Sequence, residues 1–210
     1  MVKIYLEDVY KKSGIPTYTF VKPIEYNKIL VALRTKGRGI VIEGPSGIGK
    51  TTSIQKAIEE LGFNKSVLKL SARKKDDREL IQALPDLGNI GTVIVDDFHI
   101  LENDSKSAIA DYLKVLADEE SENSKLILIG INKAGDSLIK TAADLNNRID
   151  TIRFENNPNE KIEELVSLGE VALNISFNTK SEIVNLSKGS FHIAQYLCNE
   201  ICTYDGVLDS

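Results

Sequence analysis

Residues 44–52 read Gly-Pro-Ser-Gly-Ile-Gly-Lys-Thr-Thr and have the makings of a loop folded around an anion. They satisfy G-x-x-x-x-G-K-[ST], in which glycines allow the backbone to curve tightly around phosphate oxygens. In this pattern Gly44, Pro45, Ser46, Gly47, Ile48 and Gly49 form the cradle, and Lys50 reaches the β- and γ-phosphates. The Thr51 hydroxyl joins the shell of a magnesium ion, and Thr52 continues into the following helix. Lys50 is expected to face solvent. The implied chemistry is binding of a nucleoside triphosphate with Mg2+. A glycine turn that merely caps a helix is the competing reading, and an apolar strand before the loop with an amphipathic helix after it argues against that.

Val93-Ile94-Val95-Asp96-Asp97 supplies a second constellation. A buried strand ending in two carboxylates delivers them at the carboxyl edge of a sheet, where a phosphate loop also lies. Asp96 is then placed to hold magnesium through water, and Asp97 to orient or deprotonate an attacking water. Taken alone, an apolar run ending in two aspartates is equally a solvated strand end. Asn132, in Gly130-Ile131-Asn132, closes another apolar run. Its amide either donates to a γ-phosphate, holds the lytic water, or caps a turn.

These groups need a scaffold, and the hydrophobic pattern predicts one. Short apolar strands are expected at 40–42, 67–70, 92–95, 126–129 and 151–154. Helices are expected at about 25–35, with Ile24, Ile29, Leu30 and Leu33 as its stripe, and at 51–61, 80–84 and 105–119, with a helix-like run at 142–147. The polar residues 74–79 are read as a lead-in to the short third helix, which Pro85 halts. Strands alternating with helices predict an α/β protein with a mostly parallel sheet covered on both faces. After Asn156-Asn157-Pro158 come three helical patterns and no strand pair. The expected division is an irregular amino-terminal arm (1–23), a nucleotide-binding core (24–157) and a small helical domain (158–210).

Bulk properties narrow the partners. The chain has 210 residues, 42% apolar and 27% charged, with a net charge of −5. That balance gives no global attraction to nucleic acid. The basic runs Arg34–Lys36–Arg38 and Arg73–Lys74–Lys75 read as solvated surface. No apolar run is long enough to span a membrane, and the amino terminus lacks a signal core, so cytosol is the default. Cys198 and Cys202 lie four apart on one helical face and read as buried apolar residues. His99 and His192 alone cannot build a tetrahedral metal cluster.

Taken together, the chain resembles an AAA+ ATPase, a branch of the P-loop NTPases, over about residues 24–203. GPSGIGKTT resembles its Walker A motif and VIVDDFH its Walker B motif. LILIGINKAG resembles the strand and loop carrying sensor 1, which points to Asn132. DLNNRIDTIRF resembles the arginine-finger region, with Arg148 at the finger. KGSFHIAQ falls where the family carries G-x-x-R-x-A, with His192 in the arginine position. The resemblance implies ATP and Mg2+ as ligands, a sheet order 5-1-4-3-2, and a helical lid over the nucleotide. It further implies head-to-tail homo-oligomers, as a ring or filament, in which Arg148 serves the neighbouring site, with a protein or nucleic-acid client. Two departures stand out. The usual acidic pair is Asp–Glu, so Asp97 is one methylene short and hydrolysis should be slow. His192 offers an imidazole where a permanent charge is usual. An Asp–Asp pair also occurs in the STAND-type signalling ATPases, so a nucleotide-holding switch with little turnover is the alternative. A monomeric small-molecule kinase is a more distant one.

Overall fold

The computed structural model describes residues 3–63, 67–131 and 143–210. They form two compact units. One comprises Glu25–Pro45 and Ser53–Phe154; the other comprises Met1–Ile24, Ser46–Thr52 and Glu155–Ser210.

The first unit is built on a sheet. Strands β1 (Gly39–Glu43), β2 (Val67–Ser71), β3 (Gly91–Asp96), β4 (Ser124–Ile129) and β5 (Ile149–Arg153) are short runs rich in branched and apolar residues. Branching at Cβ suits the pleated chain and packs well on a sheet face. The order is β2-β3-β4-β1-β5, and every neighbouring pair is parallel. This is the order the family resemblance implied. Parallel neighbours require crossovers, and α3 (Lys50–Glu60), α4 (Lys75–Ala83) and α5 (Asn103–Asp118) supply them between β1 and β4, while α2 (Tyr26–Arg34) precedes the sheet.

Both faces of the sheet are covered. Val41, Val93, Val95, Leu126 and Leu128 share one cluster with Ile81 of α4 and with Ile109, Leu113 and Leu116 of α5. The period of two sends Ile40, Ile42, Ile127 and Ile129 to the other face, where they are also buried. Three local expectations change. The polar residues from Lys75 onward are helical, because Asp76 and Asp77 in the first turn suit the helix dipole. The Asp77 carboxylate also accepts the Ser71 N–H at 2.8 Å. Ile24 is exposed, since α2 begins only at Tyr26. β5 begins at Ile149, where pairing with Gly39 extends the strand beyond its apolar run.

Lys125, the one residue of β4 that is not apolar-buried apart from Ser124 at its start, closes the end of α2. Its ammonium donates to the carbonyls of Ala32 at 3.3 Å and Arg38 at 2.9 Å, and also to that of Thr35. Burial pushes its pKa down to about 8, which leaves it charged at neutral pH. A cation at a helix carboxyl end satisfies carbonyls that have no intrahelical partner. Lys125→Met keeps the stem and removes all three donors. It is expected to lower unfolding free energy by about 1–3 kcal/mol, read as a reduced denaturant midpoint at unchanged slope.

The second unit packs α6 (Asn159–Leu173), α7 (Lys180–Ser187) and α8 (Phe191–Tyr204) together with the amino-terminal segment and its short helix α1 (Leu6–Val9). The amino-terminal residues are integral to its core. Leu6, Val9, Tyr10 and Val21 are buried among Ile162, Leu165, Val166 and Cys198. The Tyr10 hydroxyl donates to the Val166 carbonyl at 2.7 Å. Gly169 makes room for that ring, since a Cβ there would lie 2.1 Å from Tyr10 Cζ. Asn199 Nδ2 donates to the Tyr10 carbonyl at 2.8 Å, and Gln195 Nε2 donates to Thr19 Oγ1 at 2.6 Å. Cys198 and Cys202 are buried free thiols. Burial pushes Cys198 up to about 12 and Cys202 up to about 11, so neither is a reactive thiolate at neutral pH.

Candidate functional site

All five strands run the same way, so β1, β3, β4 and β5 end at one edge, at Glu43, Asp96, Ile129 and Arg153. In parallel α/β sheets this carboxyl edge is where ligands bind. The phosphate-loop sequence begins directly after Glu43.

Within the loop, Gly44, Gly47 and Gly49 have φ of 145°, 79° and 96°, values that side-chain-bearing residues rarely adopt. The loop passes directly into α3, which starts at Lys50 and has no acidic residue in its first turn. A helix amino terminus with no carboxylate of its own favours an anion. The residues present therefore fit a phosphate group. Lys50 is 9% exposed, which corrects the expectation that it faces solvent. A lysine's apolar stem packs readily while its ammonium keeps polar surroundings. Thr51 and Thr52 are half-buried.

The loop is also tied to helical elements of its own unit. The Gly47 carbonyl accepts the His192 N–H at 3.0 Å and the Ser190 hydroxyl at 3.2 Å. Asn157 Nδ2 donates to the Gly189 carbonyl at 2.9 Å and the Ile48 carbonyl at 3.4 Å. A Cβ on Gly47 would lie 2.8 Å from Ser190 Oγ and 3.0 Å from His192 Cβ. His192 thus meets the loop through its backbone at the start of α8, and the residue is exposed.

Asp96 and Asp97 sit where the strand pattern placed them, but Asp97 is already engaged. It adopts φ 58° and ψ 29° immediately after β3, with its N–H on Asp96 Oδ1 at 2.8 Å. Its two oxygens accept Arg73 Nε at 2.6 Å and Nη2 at 2.9 Å. Ser71 Oγ lies 3.5 Å from Asp97 Oδ2. The pairing follows from register: Ser71 is opposite Asp96, and the Ala72 N–H donates to the Asp96 carbonyl at 3.0 Å. Arg73 was read in the sequence as surface charge. Its position just past a strand next to β3 was the one available signal.

Arg148 occupies the opposite edge. It precedes β5, its N–H donates to the Leu145 carbonyl at 2.8 Å, and its Nε pairs with Asp118 at the end of α5 at 2.8 Å. Asp150, two residues on, pairs with Arg38 Nε at 2.9 Å. A five-residue strand separates the edges by about 16 Å, so Arg148 and the Asp96–Asp97 pair are not brought together within one chain. Asn132 lies outside the described residues, as does the Asp144 side chain.

This combination, a glycine loop between a buried parallel strand and a helix with an acidic strand end two strands away, defines a P-loop nucleotide-binding α/β protein. The profile of the ATPase family associated with various cellular activities (AAA) matches residues 40–156, more than half the chain, and the chain belongs to that family. No curated protein matches the sequence. Among solved structures it is similar to domain III of the Thermotoga maritima replication initiation protein DnaA, at 11% identity and TM-score 0.63, covering 97% of this chain and 90% of that one. It is also similar to a Thermotoga maritima RuvB variant at 17% identity and TM-score 0.63, covering 86% of this chain and 62% of that one. A third is Cdc6p from Pyrobaculum aerophilum, at 14% identity and TM-score 0.63, covering 98% and 68%. The chain thus spans under two thirds of the RuvB chain. At these identities the likeness is one of fold. Among the described residues no helix is long and apolar enough to cross a membrane.

Proposed function

We propose that the chain is an ATP-binding, ATP-hydrolysing AAA+ regulatory module that assembles head to tail. Residues 44–52 hold the triphosphate, with Lys50 on the β- and γ-phosphates. Thr51 and Asp96 hold magnesium, which supplies charge neutralisation on the phosphate oxygens. Asp97 positions the attacking water, Asn132 assists at the γ-phosphate, and His192 stands beside the loop. One observation carries the assembly: Arg148 and Asp97 lie at opposite sheet edges. A guanidinium at that edge serves a triphosphate only on a neighbouring copy, and such a heterologous contact closes into a ring or continues as a filament. A protein or nucleic-acid client belongs to this reading, in keeping with solved structures of similar fold that include a domain of a replication initiation protein and a Holliday junction branch migration motor.

Arg148→Ala and Lys50→Ala proteins, each inactive alone, are expected to regain partial turnover when mixed. Some interfaces then pair an intact Lys50 with an intact Arg148, and recovery should grow with total protein concentration. A mixture that stays silent although the two variants co-assemble rejects the trans role. The second reading is a STAND-like switch that holds ATP with little turnover. The Arg73 grip on Asp97 favours it. Tight Mg-ATP binding without ADP release at any protein concentration would establish that reading instead.

A further inference from the structure

The turn that carries Arg148 is held by a second arginine. Arg38 ends the basic run ahead of β1, and its side chain is 33% exposed. Its guanidinium grips the chain on both sides of Arg148. Nη1 donates to the Asn147 carbonyl at 2.5 Å and Nη2 to the Ile149 carbonyl at 2.7 Å, while Nε donates to Asp150 Oδ1 at 2.9 Å. Arg38 is itself anchored, since the Lys125 ammonium donates to its carbonyl at 2.9 Å. The next residue, Gly39, opens the β1–β5 pairing opposite Ile149. All of these residues belong to the first compact unit.

We infer that Arg38 is a positioning residue for Arg148: it fixes the backbone from Asn147 to Asp150, and with it the point from which Arg148 reaches a neighbouring copy. This rests on the trans role of Arg148 proposed above. Arg148 stands just ahead of an edge strand, after a turn closed by its own N–H bond to the Leu145 carbonyl. A guanidinium serves a phosphoryl group through donors in a rigid fork, so a displaced backbone misdirects the whole fork. Arg38 answers that need with the same chemistry. One planar group spans two carbonyls and a carboxylate together, which an ammonium on a flexible stem does poorly. Register sets its place, because the residue before Gly39 stands opposite the residue before Ile149.

The experiment compares wild type, Arg38→Ala, Arg38→Lys, Lys50→Ala and Arg148→Ala by ADP release at saturating Mg-ATP. Mg-ATP affinity is measured by calorimetric titration, and assembly by light scattering. Arg38→Ala is expected to lower turnover by roughly tenfold to a hundredfold, with affinity and assembly near wild type. Arg38→Lys should fall between the two. Mixtures then locate the defect. Arg38→Ala combined with Lys50→Ala should gain turnover, because the Lys50→Ala subunit brings a well-placed Arg148 to an intact phosphate loop. Arg38→Ala combined with Arg148→Ala should gain nothing. A general loss of structure would not show that asymmetry. Should Arg38→Ala fail to fold, Arg38→Lys carries the test and must show the same asymmetry. Wild-type turnover in Arg38→Ala, lost affinity or assembly, or equal recovery in the two mixtures overturns the inference. The control mixture of Lys50→Ala with Arg148→Ala tests the parent reading separately. If it stays silent although the two co-assemble, the trans role falls, and the inference with it.

Discussion

Asp97→Asn is expected to lower steady-state ADP release by about 10²–10⁴-fold, the usual contribution of a positioned acid–base group, while Mg-ATP affinity stays near wild type. Asp97 follows β3 at the carboxyl edge of the sheet, in a left-handed conformation stabilised by its own bond to Asp96. Asparagine preserves that shape but cannot accept a proton. ADP release at saturating Mg-ATP, with affinity measured by titration, decides the matter. Undiminished turnover would move the role to another carboxylate at the same edge. The companion variant, Arg73→Ala, separates the two functional readings. Arg73 is 62% exposed, so solvent screens its pair with Asp97 and the pair holds weakly. Releasing Asp97 should therefore raise turnover only modestly. A larger gain would mean that Arg73 restrains the enzyme in some further way, and a loss would make it part of the catalytic arrangement.

Lys50→Ala is expected to weaken Mg-ATP binding by about 2–5 kcal/mol, or roughly thirtyfold to several thousandfold in Kd, the cost of truncating one member of a desolvated charge pair. Lys50 is nearly enclosed at the first residue of α3, so its ammonium acts with little screening by solvent. The same enclosure means that alanine also removes buried stem. Lys50→Met keeps the stem and isolates the charge. Both variants should lose affinity alike in calorimetric titration, while only the alanine variant loses thermal stability. Methionine at position 50 with wild-type affinity would dismiss the phosphate-site assignment.

The features legible in the sequence are those that depend on neighbours in the chain. The phosphate loop is nine consecutive residues, and its glycines and lysine declare their backbone and charge requirements locally. The strands are contiguous apolar runs, and two-sided burial of a parallel sheet leaves that trace directly. The helical character after Pro158 follows from the 3.6-residue period. Even here the ends drifted. α4 begins five residues earlier than its apolar residues suggest, because first-turn aspartates rather than apolar residues define its start.

What the tertiary structure alone decided is who meets whom. Arg73 and Asp97 are 24 positions apart, Arg148 and Asp118 are 30 apart, and Glu43 and Arg153 are 110 apart. Each pairing is set by the parallel register or by the edge on which a strand begins or ends. The amino-terminal arm shows the same logic by burial, with Tyr10 bonded to Val166 at a separation of 156. Periodicity reports which face a residue occupies within its own element, and it carries no information about which distant element covers that face. The residue types that do the chemistry were thus written in the chain. Their partners were chosen when a parallel sheet brought distant strand ends to one edge and sent Arg148 to the other.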